Sequence, residues 1–368
     1  MIRPSVLFIR AAALAALCLP AFVVSAQSRL PAAPVPVPSA AAAQPPASPA
    51  AATAPQAPVP SNAAAQAPAA PAKIPAVPAP APAAPVFPKP LPTDFTAVSP
   101  TQAEVGAFLH ANWGYDPNRV WQVQGILKTP AEGVSKVIVL VAEKGRSKRP
   151  GVLVFFALPG GNYLISGNSL MPFGAHPFAA ARAELEQSAD GPFQGSASKS
   201  LELVEFADFQ DPQTKAAQAN IDKLAADFPQ ARIVFQNNPI PSMHPEAVRA
   251  AEYGVCVDKL GGNTDFFKYA AAVLSGQSGL ATPDGATMTL NSATVAAGLD
   301  PSKVAACAAT SQTQAEVVAS IKLGLDIGVQ TGPTLMINGR SVPADAPYSL
   351  LKTIVEFQAK LDGVPLTH

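Results

Sequence analysis

The chain has 368 residues, and its 25 basic residues balance its 25 acidic residues, so the formal net charge at neutral pH is zero. This balance excludes a nucleic-acid or membrane-surface role that depends on bulk positive charge. The length accommodates two folded domains beside a long proline-rich segment.

The first 26 residues have the pattern of an export signal. Arg3 and Arg10 give a basic start, and the apolar stretch that follows is too short to span a bilayer. Small residues precede Gln27, so we expect cleavage after residue 26 and a secreted or periplasmic protein. An uncleaved membrane anchor is the alternative. Export leads to an oxidising compartment, in which disulfides persist.

Residues 27–92 are rich in proline and alanine and lack the aliphatic and aromatic residues that a core needs. Proline at short, irregular intervals prevents both helix and sheet, so the segment is predicted to be a disordered, extended linker. A ligand for a proline-recognition module is the alternative interpretation.

Residues 93–195 predict a small α+β domain. A helix is expected from a Ser99 N-cap, with Gln102 three residues later, to about Asn112. The strands that follow have the spacing of an antiparallel meander covered by the helix, and a second helix is expected near 177–187. The predicted strands are 120–127, 134–142, 152–158 and 163–166.

Residues 200–368 predict an α/β domain. A strand at 201–207, a helix at 212–227 and a strand at 231–236 favour a parallel pair with a right-handed crossover. Helical patterns then fill the chain up to about residue 327 as an insertion. A hairpin at Asn338-Gly339 and a final helix at 346–361 close the domain.

The junction of the first strand and helix in this domain carries a family resemblance. It resembles the active-site segment of the thioredoxin-like disulfide oxidoreductases of the DsbA/DsbC/DsbG type, Phe-x-Asp-Phe/Leu-x-Cys-Pro-x-Cys-Lys. The matching residues are Phe206, Asp208, Phe209, Pro212 and Lys215. The two cysteine positions hold Asp211 and Thr214 instead. The resemblance implies a thioredoxin-like fold with a helical insertion.

A second segment, Gly332-Pro333-Thr334, resembles the loop of this family that carries a cis proline beside the active site. The resemblance implies that this loop exposes edge groups to an extended polypeptide, and Gly332, Pro333 and Thr334 are the predicted peptide-binding residues. Residues 93–195 also resemble the dimerisation domain of the DsbC/DsbG isomerases, which implies a homodimer through this domain.

No catalytic residue is predicted at the two substituted positions. A carboxylate cannot perform thiol–disulfide exchange, and the Thr214 hydroxyl cannot resolve a mixed disulfide. Asp211 before Pro212 is interpreted as a helix N-cap.

Cys256 and Cys307 are predicted to form a structural disulfide, because an even pair in an exported chain usually does. A relocated redox pair is the alternative, although the two lack Cys-x-x-Cys spacing. The histidines show no metal-ligand spacing, so neither a metal nor another cofactor is expected; they are His110, His176, His244 and His368.

The sequence therefore predicts an exported, non-catalytic module that binds exported or unfolded polypeptides as a chaperone or scaffold, without nucleic-acid partners. The competing hypothesis is an active disulfide oxidoreductase or isomerase that uses Cys256 and Cys307. A third is a structural envelope protein held by its proline-rich spacer.

Overall fold

The computed structural model describes residues 85–145, 149–330 and 332–366. The predicted signal peptide and nearly all of the predicted linker lie outside these ranges. No helix in the described ranges is long and apolar enough to cross a bilayer. The strands are β1 (Arg119–Lys128), β2 (Ser135–Glu143), β3 (Gly151–Ala157), β4 (Tyr163–Ser166), β5 (Ser169–Pro172), β6 (Phe193–Gly195), β7 (Glu202–Ala207), β8 (Arg232–Asn237), β9 (Thr334–Ile337) and β10 (Arg340–Pro343). The helices are α1 (Gln102–Trp113), α2 (Ala179–Ser188), α3 (Pro212–Asp227), α4 (Ala247–Gly261), α5 (Asn263–Ser275), α6 (Pro283–Ala296), α7 (Pro301–Ala308), α8 (Ser311–Asp326) and α9 (Tyr348–Leu361).

The first sheet is an antiparallel meander in the order β1-β2-β3-β4-β5. Helix α1 packs against it through a core that includes Val105, Leu109, Val139 and Phe155. The expected Ser99 cap is wrong. Thr101 caps α1 instead, because its side chain and that of Glu104 each accept the other residue's main-chain N–H in a capping box.

The second sheet has the order β10-β9-β7-β8-β6. Strands β7 and β8 are parallel, as the crossover pattern predicts, whereas β9 runs antiparallel to β7. Helices α3 and α9 pack on one face, and α2 and α8 pack on the other. This strand order, with helices on both faces and a closing antiparallel hairpin, is a thioredoxin-like fold.

Helix α2 and strand β6 belong to the second sheet, although both precede residue 200. Leu185 of α2 packs with Val204 and Phe206 of β7, and β6 pairs with β8. The part of the chain that builds the second sheet therefore begins before the predicted domain boundary at residues 195–200.

The insertion between β8 and β9 consists of α4 to α8. Its core is aromatic and joins it to the sheet. The ring of Phe209, which follows β7, stacks on that of Phe235 in β8 with centroids 5.0 Å apart, and both contact Phe266 of α5. The insertion therefore packs directly against the β7–α3 junction.

Arg340 connects the first sheet with the second. Its guanidinium lies 5 % exposed and donates to the carbonyl oxygens of Ala111 and Asn112, in the last turn of α1. It also donates to Gln358 Oε1 at 2.9 Å and lies over the ring of Phe178. Burial lowers the pKa of Arg340 to about 10, so the group stays charged at neutral pH.

Both tryptophans of the chain lie in the first sheet and its helix. Trp113 ends α1, Trp121 lies in β1, and their ring centroids are 6.0 Å apart in an edge-on arrangement. The guanidinium of Arg119 lies 5.4 Å from the centre of the Trp113 ring.

Candidate functional site

The β7–α3 junction is built as a helix start. Asp211 is the N-cap of α3, its Oδ1 accepts the N–H of Gln213 at 2.8 Å, and Pro212 occupies the first turn. Thr214 is fully buried, and its Oγ1 accepts the N–H of Asp208 at 3.3 Å. Both substituted positions therefore hold the main chain of the junction in place.

Two glutamines attach the junction to the helical insertion. Gln210 donates to the carbonyl oxygen of Leu280 at 2.9 Å and accepts the N–H of Glu246 at 2.8 Å. Gln277 donates from Nε2 to the carbonyl oxygens of Phe209 and Asp211, both at 2.9 Å. These bonds hold the N-terminus of α3 rigidly against the insertion.

Asp208 and His244 form a buried pair that the sequence did not predict. The Asp208 carboxylate accepts the N–H groups of Gln210 and Ile240, at 2.7 and 2.9 Å. Its Oδ2 also lies 2.8 Å from His244 Nδ1, which carries the hydrogen if the carboxylate is ionised. Such a pair can orient an imidazole and transfer a proton, but the nearby Thr214 hydroxyl is buried and already bonded.

Glu205 is a second feature that the sequence analysis missed. It is 2 % exposed in the middle of β7, and desolvation raises the pKa of its carboxyl to about 8. Gln218 donates to it at 2.9 Å and partly offsets this effect, whereas the charge of Asp222 adds to it. The available signal was an acid within the apolar run from Leu203 to Phe206.

Cys256 of α4 and Cys307 of α7 form a disulfide, with Cα atoms 5.9 Å apart. Cys256 is fully buried, and the Thr313 hydroxyl lies 3.4 Å from its sulfur. Cys307 lies in the last turn of α7, where the negative end of the helix dipole disfavours a thiolate. These surroundings suit a structural cross-link better than a redox nucleophile.

The described residues contain no group of three or more histidine, cysteine and acidic side chains arranged to hold a metal ion. His110 contacts the Phe357 ring edge-on, and His244 contacts Asp208.

A groove of about 410 Å³ lies beside the start of α3 and includes all three predicted peptide-binding residues. The α3 side contributes Gln213, and the remaining lining comes from the loop before β9, from the first residue of β9, from β10 and from the turn after β10. The lining residues are Gln213, Gly328, Val329, Gln330, Gly332, Pro333, Thr334, Ser341, Val342, Pro343 and Asp345.

Pro333 differs from its expected role. The cis peptide bond of the described residues is Ser99–Pro100, and the Gly332–Pro333 bond is not cis. Gly332 turns the chain instead, with φ of 57°, in the left-handed region that glycine adopts without strain. Pro333 itself is buried, and its carbonyl oxygen accepts the N–H of Ala344 at 2.9 Å.

Several main-chain groups along the groove have no main-chain partner within the part of the chain that the structure describes, although others, such as the carbonyl oxygen of Pro333, are paired. The N–H and C=O groups of Gln330 and Gly332 have no main-chain partner there. Ser341 lies opposite Met336 at a non-hydrogen-bonded position of the β9–β10 hairpin, so its N–H and C=O point to the open edge of the sheet. The exposed side-chain amides of Gln213 and Gln330 also have no described partner.

Comparisons with known proteins give the following likenesses. No protein-family model matches the chain, and no curated protein matches it significantly. Among solved structures, a periplasmic thioredoxin-like protein from Salmonella enterica serovar Typhimurium is 19 % identical, with a TM-score of 0.41 over 50 % of this chain and 97 % of that one. A thioredoxin-like oxidoreductase from Silicibacter pomeroyi DSS-3 is 22 % identical, with a TM-score of 0.43 over 49 % and 98 %. Oxidised BdbD from Bacillus subtilis is 19 % identical, with a TM-score of 0.40 over 46 % and 93 %.

Proposed function

We propose that the chain is an exported thioredoxin-like protein that binds extended polypeptides in the groove beside α3 and performs no thiol chemistry. The observation that carries this proposal is the row of unpaired main-chain groups along the groove. Main-chain groups at an open sheet edge pair with an extended chain of almost any sequence, as in β-strand addition. This form of recognition suits a chaperone-like or scaffold module.

The absence of thiol chemistry follows from the junction residues. Asp211 caps α3, and Thr214 is buried beneath the junction. Neither can form a mixed disulfide. The predicted export signal and the Cys256–Cys307 disulfide support a periplasmic or secreted location, where unfolded exported polypeptides would be available as partners.

The test is binding of fluorescently labelled unfolded polypeptides to the mature chain, measured by anisotropy. Ser341→Pro removes one outward N–H at an edge-strand position where proline is tolerated, whereas Ser341→Ala keeps the main chain intact. We expect the proline variant to weaken binding about threefold to tenfold, as one lost hydrogen bond allows, and the alanine variant to bind like the wild type. Equal binding by all three proteins would contradict main-chain recognition.

The competing oxidoreductase hypothesis is tested by insulin reduction with the same protein. We expect no turnover above the uncatalysed rate. Turnover that disappears when Cys256 and Cys307 are both replaced by serine would establish the enzyme instead. Conversely, Asp211→Cys combined with Thr214→Cys is expected to create activity, because it places a thiol at the positive N-terminus of α3.

A structural envelope protein would bind no polypeptide at all, so the anisotropy measurement also separates this third class.

The predicted homodimer through residues 93–195 is a separate proposal. Sedimentation equilibrium of the mature chain tests it, and a single monomeric species would contradict it.

A further inference from the structure

The groove beside α3 carries one uncompensated charge. Among its lining residues, as far as the structure describes them, Asp345 is the one ionisable side chain. It is exposed and has no ion-pair or hydrogen-bond partner in the described ranges. Asp227, by contrast, is exposed but paired with Lys352. Asp345 is therefore free to interact with an incoming group.

A second carboxylate borders the same groove. Asp211 accepts the main-chain N–H of Gln213, which lines the groove. The nearby Lys215 extends instead towards the helical insertion, where its Nζ donates to the carbonyl oxygen of Ser275 at 3.3 Å. The ionisable residue of the lining, Asp345, and the residue that caps α3 next to Gln213, Asp211, are therefore both acidic, although the whole chain is neutral.

The distance of Asp345 from the open edge of the sheet limits which side chains of a bound peptide can contact its carboxylate. Asp345 follows Ser341 by four residues, which separates the two by about 13 Å at most. A peptide paired with the Ser341 main chain can therefore present a side chain near Asp345 a few residues from the pairing point. A long, flexible cationic side chain suits this separation, because it reaches several ångströms beyond its own main chain.

We propose that the groove prefers extended polypeptides with a lysine or arginine among uncharged residues and disfavours acidic ones. This preference rests on the proposed polypeptide-binding function. The main chain of the ligand supplies most of the binding, and Asp345 supplies the discrimination between basic, neutral and acidic ligands.

The experiment uses three labelled peptides of equal length in an alanine–serine–threonine background, with Lys, Gln or Glu at one varied position. That position is scanned along the peptide to find the register. The wild type is compared with Asp345→Asn and with Glu132→Gln. Glu132→Gln is the control, because it also removes one negative charge, but from an exposed site at the β1–β2 turn of the first sheet.

At low ionic strength we expect the wild type to bind the Lys peptide about threefold to fivefold more tightly than the Gln peptide, which is the range that an exposed ion pair allows. The Glu peptide should bind most weakly, and 0.5 M salt should reduce all differences. Asp345→Asn should make the Lys and Gln peptides equal, whereas Glu132→Gln should keep the wild-type ratio.

Two failures are distinguishable. If every peptide binds but Asp345→Asn keeps the wild-type Lys-to-Gln ratio at every scanned position, the charge preference is overturned while polypeptide binding remains. If no peptide binds the wild type, the proposed function itself fails, and the charge preference fails with it.

Discussion

The carboxyl group of Glu205 links the pH of the solvent to the stability of the second sheet. Its pKa of about 8 in the folded chain exceeds the ordinary value of 4.5, because burial disfavours the charged form. Between these two values the folded state binds more protons than the unfolded state. The contribution of Glu205 to stability therefore becomes less favourable as the pH rises from 4.5 towards 8.

Glu205→Gln should remove this pH dependence while keeping an oxygen that accepts the N–H of Gln218. We expect the variant to be more stable than the wild type by up to about 3 kcal/mol at pH 7, and equally stable below about pH 4.5. Urea denaturation at a series of pH values checks this. A constant difference between variant and wild type across this range would rule out a titrating Glu205.

The residues that sequence analysis found and those it missed differ in what determines them. The Asp211 cap is a local signal, because Asp before Pro is decided within one turn of helix. The Asp208–His244 contact joins residues 36 positions apart, and no spacing rule reveals it. The outward main chain of Ser341 and the free carboxylate of Asp345 depend on where the sheet ends, which only the fold determines.

At the level of elements, most helices and buried strands, and the short strand β4, were predicted to within a few residues, whereas the short strands β5 and β6 were missed. Strand β5 is exposed along its whole length and therefore has no apolar alternation. Strand β6 has three residues and exists through its pairing with β8. The helical pattern of the sequence starts at Leu290, but helix α6 begins at Pro283, where the Thr282 side chain caps it.

The disulfide is the element-level feature with the clearest expected effect. It joins α4 to α7 across 51 residues of sequence and lies apart from the groove, whose lining comes from neither helix. Replacing Cys256 and Cys307 together by serine should lower the free energy of unfolding by about 2–4 kcal/mol. Peptide affinity should be unchanged at temperatures where the variant is folded.

Urea denaturation and peptide anisotropy on the same samples check this pair of outcomes. Wild-type protein treated with a reductant should reproduce the loss of stability. A large loss of peptide affinity in a folded variant would place the disulfide in the binding machinery.

At the level of the whole molecule, Arg340 determines how firmly the first sheet is attached to the second. Arg340→Met should leave the carbonyl oxygens of Ala111 and Asn112 without their donor. We expect a loss of about 2–4 kcal/mol, as removal of a buried, multiply bonded cation usually causes. Calorimetry should show the single transition of the wild type broadening or dividing into two. One sharp, unshifted transition would contradict this role.

The paired tryptophans make the first sheet optically distinct from the rest of the protein. Because Trp113 and Trp121 contact each other at the α1–β1 interface, tryptophan emission, excited selectively over tyrosine, reports on that interface alone, while the groove beside α3 contains no indole. Polypeptide bound in the groove should leave this emission unchanged. A shift of the emission maximum on ligand addition would show that binding in the groove changes the α1–β1 interface of the first sheet, with Arg340 as the physical connection.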